Sequence, residues 1–479
     1  MPSKRYRLTL TVEGLVHIGD GGKYGEKDYF LERGKVSILD APAFVAKLNP
    51  EQLNSYCEFL KEDSHSGLQD YLGKNKVLAG TIRKAVLYQL DSPPMRARRG
   101  SYQYFDIWRF VKDAYGCPYV PGSSIKGMLR TAILVSLIAR DRQAYEQLYD
   151  REETLSRRQS ADGDIQRKAF RVGQLDRDEK NAVNDVLRYL SVSDSDPLSA
   201  GDLVLAKKYD KFSQRDDGRH KKKLGKISDE EAYYQGNELP IYRECLRPGT
   251  TIRTTLTVDE RIGQYFDSLR LDRDGLPKAL LFSYELYQKC FLSHFDIDGE
   301  ATSTKKEASS DGTCRYVIQD GPFAGMRCRK RAVDGTGYCN THKKYATVGG
   351  AAGGSAQDPI CYLGGGIDFN TKTIENALFV DEGRRLDEVS HILFDQFPTK
   401  LDEQRHAALK AEVQRAGFRS RPMDSQYKRN GQLKKAKEDH RHWRDGALGV
   451  SPHTLKMGKV QDKMYPMGKC RARFEELEN

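Results

Sequence analysis

Apolar and polar side chains alternate near the start of the chain, and this alternation predicts β-strands. Residues 6–12 place an apolar side chain at every second position, as a half-buried strand does. The glycine-rich segment 19–22 predicts a turn, and two short apolar runs around Arg33-Gly34-Lys35 predict a hairpin over residues 29–39.

A period of 3.6 residues replaces the alternation further along the chain. Residues 42–72 are predicted to be largely helical, and residues 123–150 give the clearest helix, because apolar residues recur three and four positions apart from Ile125 to Leu137. The remaining predicted elements are strands at 186–194, 201–209, 239–246 and 250–258 and helices near 259–270 and 276–294. This mixture predicts an α+β fold rather than a doubly wound sheet.

Two stretches of linker composition bound a segment that carries cysteines. Residues 299–313 and 348–357 are rich in small and polar residues, as flexible linkers are. Residues 299–357 are therefore predicted to be an insertion into a larger domain.

The insertion contains a candidate structural zinc site. Cys314, Cys328, Cys339 and His342 supply three thiols and an imidazole, which is the ligand set of a closed tetrahedral zinc site. The close spacing of Cys339 and His342 lets one turn provide two ligands. The alternative is a disordered insertion with fortuitous cysteines.

Composition favours a soluble protein from a reducing compartment. The mean hydropathy is −0.70, and the sequence shows neither a long apolar run nor the apolar core of a signal peptide. Nine cysteines without an export signal are more typical of metal ligands or free thiols than of disulfides. We therefore expect a cytoplasmic protein that does not enter a membrane.

The charge favours a polyanionic partner. The net charge is +11, and basic residues concentrate at 96–99, at 219–223 and over 405–444, where 12 Lys and Arg stand against 4 Asp and Glu. Tyr and Trp follow the first of these clusters, and basic residues beside aromatics favour nucleic acid. The alternative is a set of solvated loops.

The segment from Tyr119 to Arg130 is the sharpest local signal. Its Pro-Gly turn is followed by Ser123 and Ser124, which can cap a helix, and free N–H groups at a helix start attract anions. Lys126 and Arg130 are four residues apart and share one helix face. The alternative is an ordinary capped helix with two solvated cations.

Four segments carry a resemblance to a known family. Residues 121–130 resemble the glycine-rich signature of the RAMP superfamily of CRISPR proteins. Residues 16–21 resemble the loop after the first strand of these proteins, residues 363–373 their second glycine-rich segment, and residues 466–469 their closing strand and turn. The order, spacing and length are most similar to the fifth-subunit family of the type III-A (Csm) effector complexes.

The resemblance implies two ferredoxin-like (RRM-like) RAMP modules that bind CRISPR RNA (crRNA). The N-terminal module would span 1–195, the C-terminal module 196–298 and 358–479, and the zinc-binding insertion 299–357 would be an addition to the family pattern. RNA contacts are then expected from His17, Gly19, Gly21, Gly22, Gly122, Ser123, Ser124, Lys126, Gly127, Arg130, Gly364, Gly365, Gly366, Lys372 and Lys469.

The function implied by the resemblance is that of a non-catalytic subunit. It would dock on the adjacent RAMP backbone subunit, cap the complex at the 3′ end of the crRNA, and support crRNA maturation and antiviral defence. One alternative is a RAMP-type endoribonuclease that uses His17 or a nearby acid as its general base. Another is a scaffold whose zinc unit recruits a host nuclease.

Overall fold

The structure is a computed structural model that describes ten segments of the chain. They are 3–32, 34–62, 66–92, 104–150, 164–171, 182–214, 236–264, 275–296, 358–396 and 445–477. The predicted zinc ligands Cys314, Cys328, Cys339 and His342 and the basic clusters 96–99, 219–223 and 405–444 lie outside the described residues.

The chain divides into two compact units. Met1–Phe295 and Pro359–Asn479 form one unit, and Asp296–Asp358 forms the other. All of the secondary structure given below belongs to the first unit.

The described part of the chain contains fourteen strands and ten α-helices. The strands are β1 (Ser3–Val12), β2 (Gly19–Tyr24), β3 (Tyr29–Glu32), β4 (Lys35–Leu39), β5 (Val86–Asp91), β6 (Ile107–Phe110), β7 (Leu190–Val192), β8 (Leu203–Phe212), β9 (Gly236–Leu246), β10 (Thr251–Asp259), β11 (Ile360–Tyr362), β12 (Thr454–Val460), β13 (Lys463–Pro466) and β14 (Lys469–Leu477). The α-helices are α1 (Ala41–Val45), α2 (Pro50–Lys61), α3 (Leu68–Lys74), α4 (Leu78–Ile82), α5 (Gly122–Arg140), α6 (Arg142–Asp150), α7 (Gly275–Cys290), α8 (Glu375–Leu378), α9 (Glu382–Gln396) and α10 (Asp445–Leu448). Short 3-10 helices span Ala182–Asn184, Val186–Tyr189, Ala200–Asp202, Glu260–Gln264, Leu292–His294 and Phe369–Thr371.

The central sheet has five strands in the order β11-β14-β1-β10-β7, and every pair in it is antiparallel. Along the chain, β1 leads through α5 to β7 and β10, and then through α7 to β14. Leu8 of β1 lies between Thr254 of β10 and Phe474 of β14. The alternating apolar residues of β1 are fully buried, as the pattern over residues 6–12 predicted.

Two further sheets complete the unit. The larger has the order β13-β12-β8-β9-β6-β2, in which only β6 and β9 run parallel. The smaller is β3-β4-β5, and its strands share a separate apolar cluster with helices α1 to α4. The predicted hairpin over 29–39 and the helical stretch over 42–72 are confirmed by these elements.

The strands before and after the predicted module boundary at residue 195 belong to the same sheets. The five-stranded sheet joins β1 to β10 and β14, and the six-stranded sheet joins β2 and β6 to strands that follow residue 200. Residues hundreds of positions apart pair because the last strand closes the sheet beside the first. The boundary therefore does not separate one sheet from another.

The predicted turn at 19–22 is instead the start of a strand. Gly19 pairs with Phe110 and Lys23 with Trp108, with a bulge between them. The prediction of a turn was wrong because this segment pairs with β6, which supplies partners for its backbone hydrogen bonds. A β-bulge accommodates the residues between Gly19 and Lys23 that have no partner on β6.

Helix α5 is the long helix that the sequence predicts. It is long and apolar enough to cross a membrane by length and composition alone. However, Ile125, Leu129 and Ile133 are buried in the main apolar cluster. The apolar composition of α5 is therefore that of a helix in the core of the protein.

Candidate nucleic-acid interface

Three of the segments that carry the family resemblance meet in space. The Gly365 N–H donates to the His17 carbonyl oxygen (2.6 Å), and the Leu363 N–H donates to the Gly468 carbonyl oxygen (2.8 Å). The Gly468 N–H in turn donates to the Leu15 carbonyl oxygen (2.6 Å). Residues from both ends of the chain thus form one loop cluster, at the end of the central sheet where β1 and β11 finish and β14 begins.

Glycine is required at position 364 by the protein's own packing. Its φ of +94° lies in the left-handed region, and a Cβ atom there would collide with the His17 carbonyl oxygen. At Gly365, by contrast, a Cβ would make only ordinary contacts with His17, at 3.5–3.6 Å. The middle of the segment therefore has room for a larger residue.

The loop cluster faces helix α5 across an open cleft of about 450 Å³. Helix α7 and strand β11 form its other walls, with Met128, Leu280, Tyr284 and Tyr362 among the lining residues. Six of the predicted RNA-binding residues also line this cleft: Gly19, Ser124, Gly127, Gly364, Gly365 and Lys372. The structure therefore brings together the first loop, the helix start and the second glycine segment.

Gly127 leaves the surface of α5 open where a ligand can approach. It is exposed in the middle of the helix, and a Cβ atom there would meet nothing within 4 Å. Its glycine is thus not explained by packing within the described part of the chain.

Three cations lie in the cleft or close to the segments that form it. Lys126 precedes Gly127 on α5, Lys372 lines the cleft, and the Arg243 guanidinium lies 3.4 Å from where a Cβ of Gly366 would stand. Partial loss of hydration lowers the pKa of all three side chains, although Lys372 is exposed, and Asp185 and Asp210 attract the charges of Lys126 and Arg243 without forming an ion pair. Among the described residues, none of the three makes an ion pair or a side-chain hydrogen bond. Because desolvated charge is unfavourable without a counter-ion, this arrangement suits an anion that comes from outside the chain.

Beside Arg243 the six-stranded sheet carries an excess of positive charge. Lys456 and Lys208 both approach Asp210, at 3.0 and 3.7 Å. Burial and the nearby Lys456 lower the pKa of Lys208. Asp210 is therefore shared by Lys208 of β8, Lys456 of β12 and, at longer range, Arg243. These cations extend from the second glycine segment along the six-stranded sheet.

Two other predicted cations are paired within the protein. Arg130 lies 2.6 Å from Asp185 and covers the ring of Phe170, and the buried Lys469 lies 3.3 Å from Glu13. Spacing along the helix could not reveal Asp185, which follows Arg130 by 55 residues. These pairs leave less positive charge for a ligand than at Lys126, Lys372 and Arg243.

The helix start differs from its prediction. Pro121 occupies the N-cap position, neither Ser123 nor Ser124 caps the helix, and the Gly122 N–H donates to Asp194 Oδ1 (2.8 Å). The prediction of a free N–H was wrong for Gly122, because a carboxylate of the chain already occupies the positive end of the helix. Ser123 is exposed.

His17 fixes the first loop to strand β9. Its Nδ1–H donates to the Glu244 carbonyl oxygen (2.8 Å), and the ring is 6% exposed. Burial lowers its pKa to about 4, so the imidazole is neutral at pH 7. This geometry is that of a loop histidine bonded to the backbone.

Gly21 and Gly22 lie on the bulged strand and not in the cleft. Gly21 has φ +84° and open space around it, whereas a Cβ on Gly22 would collide with the guanidinium of Arg109. Arg109 lies 3.0 Å from Asp20 and covers the ring of Tyr24.

Sequence reasoning missed Arg243, Tyr284 and Tyr362. Arg243 lies within a strand of ordinary half-buried pattern, and no motif surrounds it. Tyr362 immediately precedes the second glycine segment, so an aromatic residue beside a candidate backbone-binding loop was an available signal. Tyr284 lies within a helix, and only the fold brings it to the cleft.

The chain is similar to known proteins. The family model of the RAMP superfamily matches residues 9–300. The "CRISPR system Cms protein Csm5" of Mycobacterium tuberculosis is 30% identical over 270 residues, which cover 53% of this chain and 67% of the relative. The protein of the same name from Streptococcus thermophilus is 24% identical over 312 residues, covering 62% and 74%.

A solved structure shares the fold. A chain of the "Csm-crRNA-target RNA ternary complex in type III-A CRISPR-Cas system", determined by cryo-EM, superposes with a TM-score of 0.51 at 16% sequence identity. The match covers 98% of this chain and 100% of that chain.

Proposed function

Because the chain belongs to the RAMP superfamily and to its Csm5 family, we propose that the cleft and its three unpaired cations bind crRNA within a type III-A Csm effector complex. The chain is a subunit of this effector. Its relatives carry the Csm5 name, and its fold is that of a chain in a Csm-crRNA-target RNA complex. In this proposal the subunit caps the complex at the 3′ end of the crRNA and supports crRNA maturation and antiviral defence.

One observation carries the RNA-binding proposal. Lys126 and Arg243 are half-buried, Lys372 is exposed, and none of the three forms an ion pair among the described residues. Lys126 precedes the open Gly127, and Arg243 lies beside Gly366. Phosphates would supply the missing counter-charge, and an exposed Gly127 allows a sugar-phosphate backbone to approach α5. Such contacts fix the register of an RNA without reading its sequence.

The test measures how strongly the full-length chain binds a fluorescent single-stranded RNA at several salt concentrations, by anisotropy. The variant Lys126→Ala/Lys372→Ala/Arg243→Ala is compared with Lys61→Ala, which removes an exposed lysine of α2. If each of the three cations neutralises a phosphate, the negative slope of log affinity against log salt becomes less steep by roughly 2 in the triple variant and is unchanged in the control. An unchanged slope in the triple variant would reject the proposal.

We propose further that the subunit has no nuclease activity of its own. The general-base alternative needs a histidine that titrates near neutral pH and reaches an RNA hydroxyl, whereas His17 is buried, neutral and bonded to β9. The purified chain is therefore expected to leave precursor crRNA intact. Cleavage that disappears in His17→Gln, a variant checked for folding by circular dichroism, would establish the enzyme instead.

The architecture supports one ferredoxin-like module. The order β14-β1-β10-β7, with α5 and α7 as the two crossovers, is the antiparallel β-α-β-β-α-β arrangement. The second module is proposed from the family resemblance, as are a cytoplasmic location and contacts with the adjacent backbone subunit and other Csm subunits.

The insertion is proposed to hold one structural zinc ion through Cys314, Cys328, Cys339 and His342. Support comes from the ligand types and their spacing in the sequence. Elemental analysis is expected to find about one zinc per chain in the wild type and none in Cys339→Ser/His342→Asn. Equal zinc content in the two proteins would reject the site.

The insertion also carries the remaining alternative, recruitment of a host nuclease. Deletion of residues 313–345 tests it in cells that express the complex. Normal crRNA trimming and normal assembly in the deletion variant would exclude the recruiting role.

A further inference from the structure

The cleft has an aromatic wall that phosphate binding does not require. Tyr284 of α7 and Tyr362 of β11 both line it and are half-buried. Their ring centroids are 6.5 Å apart, and the ring planes are inclined by only 26°. Two nearly parallel rings therefore line a cleft of about 450 Å³.

The fold holds the ring of Tyr362 in position. Tyr287 packs edge-on against Tyr362, with centroids 5.0 Å apart and planes at 67°. Its hydroxyl donates to the buried Asp368 Oδ2 (3.0 Å), and the Lys456 N–H donates to Oδ1 of the same carboxyl (2.8 Å). An aromatic side chain that is already ordered loses little conformational freedom when a planar ligand stacks on it.

The lining of the cleft has both apolar and polar residues. Met128, Leu280 and Ile360 continue the apolar surface around the tyrosines, whereas Ser124, Ser283 and Lys372 provide polar atoms. A nucleobase has apolar faces and a polar edge, and single-stranded RNA is commonly recognised by stacking of its unpaired bases on aromatic side chains. The volume also lies within the range of small-molecule sites.

We propose that this cleft receives one unpaired RNA base, stacked on Tyr284 or Tyr362, while Lys372 contacts the phosphate of the same nucleotide. This inference rests on the proposed RNA-binding function and adds a subsite for a base. Stacking would make the contact tolerant of base identity. The base belongs either to the crRNA or to the target RNA, because both present the same chemistry.

The experiment adds the full-length chain to Csm complexes that were assembled without it on RNAs in which single nucleotides are abasic. One series moves the abasic site along the 3′ segment of the crRNA, and a second moves it along the facing target RNA. Affinity of the subunit for each complex is measured for the wild type, Tyr284→Ala/Tyr362→Ala and Tyr284→Phe/Tyr362→Phe. Leu281→Ala, which truncates an exposed neighbour on α7, is the matched control.

A base in the cleft predicts one abasic position that weakens wild-type binding by about 5- to 100-fold. The same position has no further effect in the double alanine variant, while the double phenylalanine variant and the Leu281→Ala control behave as the wild type. The series in which this position occurs identifies the source of the base.

The cation variant distinguishes rejection of the base subsite from rejection of the proposed RNA-binding site. If no abasic position matters while Lys126→Ala/Lys372→Ala/Arg243→Ala still weakens binding, RNA contacts the cations but no base enters the cleft, and this inference is rejected. If the cation variant also binds normally, the proposed RNA-binding site is itself wrong.

Discussion

At the scale of single residues, glycines in the same interface have different roles. Gly364 turns the chain at φ +94° directly against the His17 carbonyl, so its role is to let two loops of the protein meet. Gly127 has helical neighbours and open space around it, so its role lies toward the ligand. The cations divide in a similar way, because Arg130 forms an ion pair with Asp185, whereas Lys126 is attracted by the same carboxylate but forms no ion pair in the described chain.

Alanine at the two glycines is expected to have opposite effects on stability. Gly127→Ala should raise the free energy of unfolding by about 0.5–1 kcal/mol, because alanine favours a helix and meets no neighbour. Gly364→Ala should lower it by at least about 2 kcal/mol, through backbone strain and the collision with His17. Urea denaturation of both variants checks the contrast, and equal changes of the same sign would refute it.

Two buried titratable groups should give stability opposite dependences on pH. Burial lowers the pKa of His17 to about 4 and raises that of Asp368 to about 7. Folding thus favours neutral His17, and this contribution, roughly 3 kcal/mol, is lost as the pH falls from 6.5 towards 4. Folding also favours protonated Asp368, and that contribution is lost as the pH rises from 3.8 through 7.

Unfolding free energies at pH 4.5 and pH 7 separate the two groups. Relative to the wild type, His17→Gln should become more stable at pH 4.5 than at pH 7, and Asp368→Asn should become less stable there. The same pH trend in both variants would contradict the assignment of these shifts.

At the scale of elements, one buried carboxylate connects three strands. Glu244 of β9 is fully buried and accepts hydrogen bonds from the Tyr88 hydroxyl of β5 (2.6 Å) and the Phe110 N–H of β6 (2.7 Å). Lys112 Nζ lies 2.6 Å from Oε2, the oxygen that also accepts from the Phe110 N–H. The carbonyl of Glu244 also accepts from His17, so the same residue anchors the first loop of the interface.

Removing the partner of this carboxylate should be costly. Lys112→Ala is expected to lower the free energy of unfolding by about 3–5 kcal/mol, because it leaves a buried charge uncompensated. Lys112→Met/Glu244→Gln removes both charges and should lose less than the single variant. A double variant that is the less stable of the two in urea denaturation would show that the ion pair itself is the main stabilising interaction.

At the scale of the whole molecule, the interface depends on pairing between the two ends of the chain. β1 hydrogen-bonds to β14 along most of its length, and the turn before β14 meets the loop after β1 through Gly468 and Leu15.

Periodicity predicted β1, α5 and the hairpin over 29–39, because these patterns are local. It could not predict that β14 lies beside β1, that Asp194 occupies the start of α5, or that Arg243 faces Gly366, because those contacts depend on tertiary packing. The four motif segments were nevertheless the right ones to examine, since three of them form a single loop cluster.

Two deletions should separate the core from the insertion. Replacing residues 299–357 by a short Gly-Ser linker is expected to leave the unfolding transition of the remaining chain nearly unchanged, because all of these residues lie within the separate compact unit Asp296–Asp358. Deleting residues 469–477 should prevent cooperative folding, since this removes the neighbour of β1 and β11. Circular dichroism during heating checks both variants, and loss of the transition in the first deletion would show that the insertion belongs to the core.

The most direct test of RNA binding in the cleft is crosslinking with peptide identification. A Csm complex reconstituted with this subunit and a crRNA of defined length is irradiated, and the crosslinked peptides are mapped by mass spectrometry. We expect crosslinks in the start of α5 and in the segment from Tyr362 to Lys372, and we expect both to be lost in Lys126→Ala/Lys372→Ala/Arg243→Ala. Crosslinks confined to the basic clusters 219–223 and 405–444, and unchanged in that variant, would contradict it.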